Sequence, residues 1–361
     1  MKRRSFLKSA TAISTGALLV PSPLAHIIIP KAKETLGVAL VGLGYYSTDV
    51  LAKSLQFTQK VKLSGIVTGS PEKAAKWQSM YNIHDRNIYN YGTFDLIANN
   101  PDIDVIYVVL PPSMHREYTV RAANAGKQVW CEKPMAPSVE DCQAMIDACK
   151  KNKVNLSIGY RMHHEPNTQE IMAWAKSKPY GKIKTLSAEA GYRENRTDHW
   201  KQKKAMGGGV MGDMGVYPLN AVRYATGLEP IAVTAKASTT RPEIYKEVEE
   251  TMQFELEFPG GLMAKCEASF GKNMGTLDVQ CQKGWYKLSP FQAYTGAKGT
   301  TSDGKSLDKT LPNQQAKQMD DDALAIMSQK PGIAPGEEGL KDIKVVEAIY
   351  KSAASGKRVL I

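Results

Sequence analysis

Two short stretches of the 361-residue sequence hold side chains that can move a proton. The first is Cys131-Glu132-Lys133-Pro134. Proline restricts the backbone around it and is the residue that tolerates a cis bond, so it can fix the direction of the lysine before it. Glu132 is placed to pair with Lys133, orient it and tune its proton affinity. The second stretch is Asp213-Met-Gly-Val-Tyr217. Residues four apart share a helix face, so Asp213 and Tyr217 point the same way if the segment is helical. A phenol beside an ammonium is a workable acid–base pair for a hydroxyl group, because the cation lowers the phenol pKa toward the working range. Each stretch also has a plainer reading. Lys133 and Glu132 can form a surface pair, Asp213 can cap a helix, and Tyr217 can pack it. Pro218 costs a helical hydrogen bond, so the helix is expected to be irregular there or to start nearby. Gly207-Gly-Gly209 just upstream implies close backbone approach or unusual dihedrals.

These groups need a scaffold, and the N-terminal half reads as one. Gly37-Val-Ala-Leu-Val-Gly42 is a strand buried on both faces, as a parallel sheet requires. Gly42-Leu-Gly44-Tyr-Tyr-Ser47 and a helical stretch from Thr48 to Phe57 follow. Strand, glycine turn and helix in that order form a dinucleotide-binding fingerprint. The first glycine permits the tight turn, and the second lets the backbone approach a pyrophosphate at the helix N-terminus. Ser47 stands in for the third glycine and is small enough for close packing. The alternation then predicts strands over 61–68, 105–110, 128–132 and 155–159, with helices over 71–81, 115–125 and 139–151. This is a doubly wound α/β domain. Lys133 falls at the carboxyl end of its fourth predicted strand, on the edge where ligands bind.

The end of the second strand bears on the cofactor. Folds that bind NAD usually place Asp or Glu there to hold the ribose 2′-hydroxyl. This chain has Thr68-Gly-Ser70-Pro-Glu-Lys73, with no acid at the tip. Two hydroxyls and a lysine suit a 2′-phosphate, so NADP is favoured over NAD. The alternative is Lys73 as an ordinary solvated helix residue.

From about Arg161 the pattern changes. Strands are expected over 183–190, 231–238, 247–258, 261–270 and 277–282. Thr251-Met-Gln-Phe-Glu-Leu-Glu-Phe258 alternates polar and apolar, as a sheet with one wet face should. A mainly antiparallel sheet follows, with one face packed on the helix after Gly209 and the other free for a subunit partner. Residues 290–315 read as loop, and 337–355 as a helix returning toward the first domain.

The N-terminus adds a separate signal. Arg3-Arg4-Ser5-Phe6-Leu7-Lys8 resembles a twin-arginine export signal, and an 11-residue apolar run from Ala10 to Val20 follows. A membrane span needs about 20 residues, so no stable membrane anchor is expected. Cleavage near Ala25 gives residues 1–25 as signal peptide, 36–160 as the nucleotide-binding domain and 161–361 as the substrate and oligomerisation domain. The net charge is +11, of which Lys2, Arg3, Arg4 and Lys8 carry four, leaving +7 on the remainder. The other lysines are scattered, so nucleic-acid binding is not expected. The five cysteines have no CxxC spacing, which argues against a disulfide framework or a zinc site; no metal is expected.

The motifs together resemble the glucose-fructose oxidoreductase / inositol dehydrogenase / rhizopine catabolism family, and most of all its glucose-fructose oxidoreductase branch. The likeness runs from about residue 36 to near the C-terminus. It rests on 38–44, 89–95, 110–115, 131–135, 158–161, 213–217 and 335–339; Tyr217 is telling, since most members carry His there. The resemblance implies an NADP-dependent sugar oxidoreductase that assembles as a homo-oligomer. Lys133 and Tyr217 would handle the proton of a sugar hydroxyl, and Asp213 would orient the sugar. Gly42, Gly44, Tyr46, Thr68, Ser70, Lys73, Tyr91, His115, Glu132, Lys133 and Arg161 would lie around the cofactor. Three positions depart from the family pattern: Pro112 replaces a frequent Asn, Tyr45 a Lys, and Lys201 a frequent Arg. Combined with export through the twin-arginine machinery to the periplasm, the resemblance implies NADP retained in the protein. One sugar would reduce it and a second reoxidise it, aldose to lactone and ketose to alditol. The alternatives are an aldose dehydrogenase of the xylose type that releases its cofactor, and a non-catalytic sugar or nucleotide sensor.

Overall fold

The computed structural model describes residues 33–361. The basic head, the apolar run and the cleavage point near Ala25 lie outside the described residues.

Six strands form one sheet: β1 (Leu36–Val41), β2 (Val61–Val67), β3 (Ile88–Tyr89), β4 (Val105–Val108), β5 (Gln128–Cys131) and β6 (Leu156–Ile158). Their order is β3-β2-β1-β4-β5-β6, and every neighbouring pair is parallel. β1, β4 and β6 are buried along their whole length, which is why they read as unbroken apolar runs. The order reverses between β1 and β4, and their carboxyl ends open the crevice that such sheets use for ligands. After Gly42 the chain forms a π-helical stretch (Tyr46–Leu51), one α-turn (α1, Ala52–Ser54) and a 3-10 turn (Leu55–Phe57). The crossovers are α2 (Pro71–Tyr81), α3 (His115–Asn124) and α4 (Val139–Lys151). Ser70 and Ser138 start α2 and α4 as caps, accepting from the amides of Lys73 and Asp141.

After α5 (Pro166–Ser177) comes the second sheet, with α6 (Val216–Thr226) between its first two strands. Its strands are β7 (Ile183–Gly191), β8 (Ala232–Ser238), β9 (Thr251–Phe258), β10 (Leu262–Ser269), β11 (Met274–Cys281), β12 (Trp285–Leu288), β13 (Gly299–Thr301), β14 (Ser306–Leu307) and β15 (Val359–Leu360). The order is β14-β13-β12-β11-β7-β10-β9-β8-β15, antiparallel throughout except for β7 beside β10. In β9, Met252, Phe254, Leu256 and Phe258 are buried while Gln253 is exposed, as the alternation requires. α6 lies across β7, β10 and β11 on the buried face.

The chain then folds back further than the sequence indicates. Residues 290–315, read as loop, contain β13, β14 and the start of α7 (Gln314–Met327). α7 belongs to the first sheet: Met319 and Ala323 pack with Leu40, Ile66, Tyr107 and Trp130. α8 (Gly336–Ser355) serves both cores, with Ile343 in the first and Val345 and Ile349 in the second. A cut at residue 160 therefore leaves part of the first domain's cover in the second half of the chain. All five cysteines are free and buried.

Candidate active site

A cleft of about 500 Å³ opens at the carboxyl edge of the first sheet. Gly42 ends β1 with φ +90°, and a Cβ there would lie 2.5 Å from the Val109 carbonyl, so only glycine makes this turn. A Cβ on Gly44 would meet nothing within 4 Å, which leaves the room a phosphate needs beside the backbone. The buried Ser47 hydroxyl donates to the Gly42 carbonyl at 2.5 Å and ties the turn to the helix behind it. At the far end the cleft is lined by Thr68, Ser70, Lys73 and Tyr91. Lys73 reaches back to donate to the Leu43 carbonyl at 3.1 Å. Among the described residues, the only carboxylates in the lining are Glu132 and Asp213. A glycine turn with open space at Gly44, hydroxyls at Thr68 and Ser70 and a lysine at position 73 fit a dinucleotide.

Glu132, Lys133, Asp213 and Tyr217 meet at the other end of the same cleft. The Lys133–Pro134 peptide is cis. Lys133 donates to the Asp213 backbone carbonyl at 2.7 Å, stands 3.5 Å from Asp213 Oδ1, and lies 4.6 Å from the centre of the Tyr217 ring. Burial opposes its charge, but Tyr217, Asp213 and Glu132 outweigh that and hold the ammonium above its ordinary pKa. For Tyr217, burial pushes the phenol up, while Arg161 and Lys133 pull harder and leave it below the usual tyrosine value. Asp213 stays well below the carboxylate range: burial works against the charge, and Lys201 and Lys133 overcome it. Glu132 is pushed up to about 7 by burial, although Tyr107 donates to it at 2.6 Å and the Lys133 amide at 3.2 Å.

Asp213 sits in a π-helical stretch, Met211–Gly215, and α6 begins at Val216. Pro218 thus falls just after the switch from π- to α-helix, the irregularity that its missing N–H leads one to expect. Gly209, at φ +99°, allows the approach of the Glu249 carboxylate, which a Cβ would meet at 2.7 Å.

Two expected cofactor residues stand elsewhere. His115 is buried, and its ring contacts the carbonyls of Leu110 (2.7 Å), Pro134 (3.0 Å) and Met135 (3.2 Å). It braces the loop that carries Lys133 and is outside the lining of the cleft. Arg161 lines an adjoining pocket of about 510 Å³. It donates to Tyr217 at 3.5 Å and to the Gln292 and Ala293 carbonyls, with its guanidinium 4.6 Å from the Tyr294 ring centre. Tyr46 lines the cleft with its ring 6.2 Å from that of Tyr294.

The adjoining pocket adds Tyr192, Arg196 and Tyr294, which the motifs did not reveal, and brings in Tyr45 and Lys201, two of the positions that depart from the family pattern. Tyr192 to Lys201 is dense in charged and aromatic side chains, and that composition was the available signal. Lys201 donates to Asp213 Oδ2 and to the Tyr192 hydroxyl, each at 2.6 Å. Tyr294 lies in a segment with no periodicity and no motif. Among the described residues, no cluster of three His, Cys, Asp or Glu side chains could hold a metal ion.

Comparison with known proteins agrees with this geometry. Residues 36–160 match the oxidoreductase family with an NAD-binding Rossmann fold, and residues 168–287 match the GFO/IDH/MocA C-terminal domain. An aldose-aldose oxidoreductase from Caulobacter crescentus, solved in complex with glycerol, is 38% identical; the match has a TM-score of 0.87 and covers 91% of this chain and 100% of that one. The D-xylose 1-dehydrogenase (NADP(+)) of Haloarcula marismortui is 25% identical over 89% of this chain and 92% of its own length. The D-glucoside 3-dehydrogenase of Escherichia coli K12 is 26% identical over 90% of this chain and 97% of its own length. The chain belongs to the GFO/IDH/MocA oxidoreductase family, with a nicotinamide-dinucleotide-binding first domain and a mainly antiparallel second one.

Proposed function

We propose that this protein is an exported, NADP-dependent sugar oxidoreductase that keeps its cofactor bound and passes hydride from one sugar to another. The observation that carries the reading is the meeting of Lys133, Asp213 and Tyr217 in one pocket that opens onto the dinucleotide cleft. A bound nicotinamide supplies the hydride acceptor for the first sugar and, once reduced, the donor for the second. Tyr217, with its phenol pKa lowered, takes the proton of the sugar hydroxyl as the C–H bond breaks. Lys133 and Arg161 stabilise the phenolate before that step. Asp213 accepts a hydrogen bond from the sugar and orients it. Tyr46 and Tyr294 shield the pocket from water.

Ser70, Lys73 and the lack of an acid at the end of β2 support NADP, and so does the NADP-dependent xylose enzyme among the relatives. The aldose-aldose oxidoreductase supports transfer between two sugars. The twin-arginine-like head supports export of the folded, cofactor-loaded protein to the periplasm, where no pool of free NADP would recycle it. A homo-oligomer would assemble through the uncovered sheet face, which carries Gln253, Lys265 and Gln280. The second reading is a dehydrogenase that releases NADP at each turnover, as the similarity to the xylose enzyme suggests. Tyr217→Phe tests the chemistry: turnover of aldoses falls about 1,000-fold while nucleotide binding stays. Unchanged turnover would remove Tyr217 as the acid–base group.

A further inference from the structure

The Asp213 carboxylate is held unevenly. Oδ2 accepts from Lys201 at 2.6 Å and from the Tyr192 hydroxyl at 3.1 Å. Oδ1 has only the Lys133 ammonium, at 3.5 Å, and that ammonium makes its shorter bond to the Asp213 backbone. Lys201 is fixed in turn. It donates to the Tyr192 hydroxyl at 2.6 Å, and the rings of Tyr192, Trp200 and Phe270 lie 5.1, 5.7 and 5.9 Å from its nitrogen. The Lys201 and Asp213 side chains are each 14% exposed, so water screens their pairing little.

We infer that Lys201, with Tyr192, is a positioning residue that locks Asp213 Oδ2, and so holds Oδ1 in only a long 3.5 Å contact with Lys133 and leaves it able to accept from a sugar hydroxyl. The inference rests on the proposed sugar oxidoreductase reading. Without Lys201 the nearest cation to Asp213 is Lys133. The carboxylate would turn onto it, fill the acceptor position and draw the ammonium from the Tyr217 ring.

Charge leads to the same residue. Tyr217 is faced by Arg161, Lys133, Glu132 and the phenols of Tyr46 and Tyr294. Asp213 and Lys201 are faced by Lys133, Tyr192, Glu194, Arg196 and His199. Arg196 is already matched by Glu194. His199 is pushed down to about 4, first by burial and then by Arg196 and Lys201, so it stays neutral at working pH. Lys133 and Lys201 share the Asp213 carboxylate, while Glu132 also faces Lys133. Removing Lys201 leaves that carboxylate to Lys133 alone and weakens the pull of Lys133 on the Tyr217 phenol.

The test compares wild type with Lys201→Met, Lys201→Arg and Tyr192→Phe. The ionisation of Tyr217 is read without substrate, from the ultraviolet difference between each protein and its Tyr217→Phe counterpart. Lys201→Met should raise the Tyr217 midpoint by about one pH unit, and Lys201→Arg should restore it. In turnover, Lys201→Met should lose about 100-fold in kcat/KM through a misplaced Asp213, with most of it recovered by Lys201→Arg. Tyr192→Phe keeps the charge and removes one donor, so it should lose about tenfold with no shift in the midpoint; it also serves if Lys201→Met does not fold. An unmoved midpoint with unchanged kcat/KM in Lys201→Met, or full activity in Tyr192→Phe, would overturn the inference. If the wild type turned over no sugar, the functional reading would fail, and the titration would still judge Lys201.

Discussion

Lys133 faces the ring of Tyr217 and not its hydroxyl: the ammonium is 4.6 Å from the ring centre, while Arg161 reaches the phenol oxygen at 3.5 Å. The oxygen is thus left open to a substrate while two cations favour its ionised form. Lys133→Met should lower kcat about 100- to 1,000-fold. It should also move the ascending limb of the pH profile for sugar oxidation upward, because the phenol loses one of its two cations. Steady-state kinetics across pH checks both.

Glu132 makes a stability prediction with a definite sign. Burial raises its pKa from 4.5 to about 7. Between these values the folded protein keeps a proton that the unfolded chain has released. Its contribution therefore favours the folded state at low pH and fades as pH rises through about 7. Glu132→Gln should flatten this part of the pH–stability curve, by at most about 3 kcal/mol. Urea denaturation at pH 5 and pH 8 measures it.

Arg223 of α6 ties that helix to α8 by pairing with the fully buried Asp342 and, at 2.8 Å, with Glu338. Its third partner is Glu229, at 2.7 Å. Removing the cation strands a buried carboxylate, which costs far more than losing a surface pair. Arg223→Met should destabilise the protein by about 3 kcal/mol in denaturant titration without changing the site chemistry.

On the proposed NADP reading, Lys73 carries the choice of nucleotide. Its ammonium already bends to the Leu43 carbonyl on the glycine turn. Lys73→Ala should weaken NADP about tenfold in calorimetry on stripped protein and leave NAD nearly unchanged. Equal losses for both would remove Lys73 from 2′-phosphate recognition.

The first domain was legible because its signals are local and strong. β1 and β4 are apolar runs, β2 and β5 end in apolar residues, and Ser70, Ser138 and the glycine turn mark where helices start. The residues that share the pocket, Lys133, Asp213 and Tyr217, were legible because Lys133-Pro134 and Asp213 to Tyr217 join chemistry to spacing. α7 was not, because its stripe of Ala316, Met319, Ala323, Ile326 and Met327 is set among glutamines and aspartates and follows a stretch that reads as loop. Its helical form depends on the sheet it covers. β13, β14 and β15 are two or three residues long and have no period to read. Nor does sequence spacing reveal that His115 holds three carbonyls behind the site, or that Tyr192, Lys201 and Tyr294 enter it. Those contacts are set by tertiary packing, which spacing along the chain does not carry.

The central claim is that hydride passes between two sugars through a retained NADP. The most direct measurement is the near-ultraviolet absorbance of reduced nicotinamide in the purified, desalted protein with no nucleotide supplied, first after adding glucose and then after adding fructose. The account predicts a rise on the first addition and a fall on the second. No absorbance change, with turnover appearing only when NADP is added, would contradict it and leave a dehydrogenase that exchanges its cofactor.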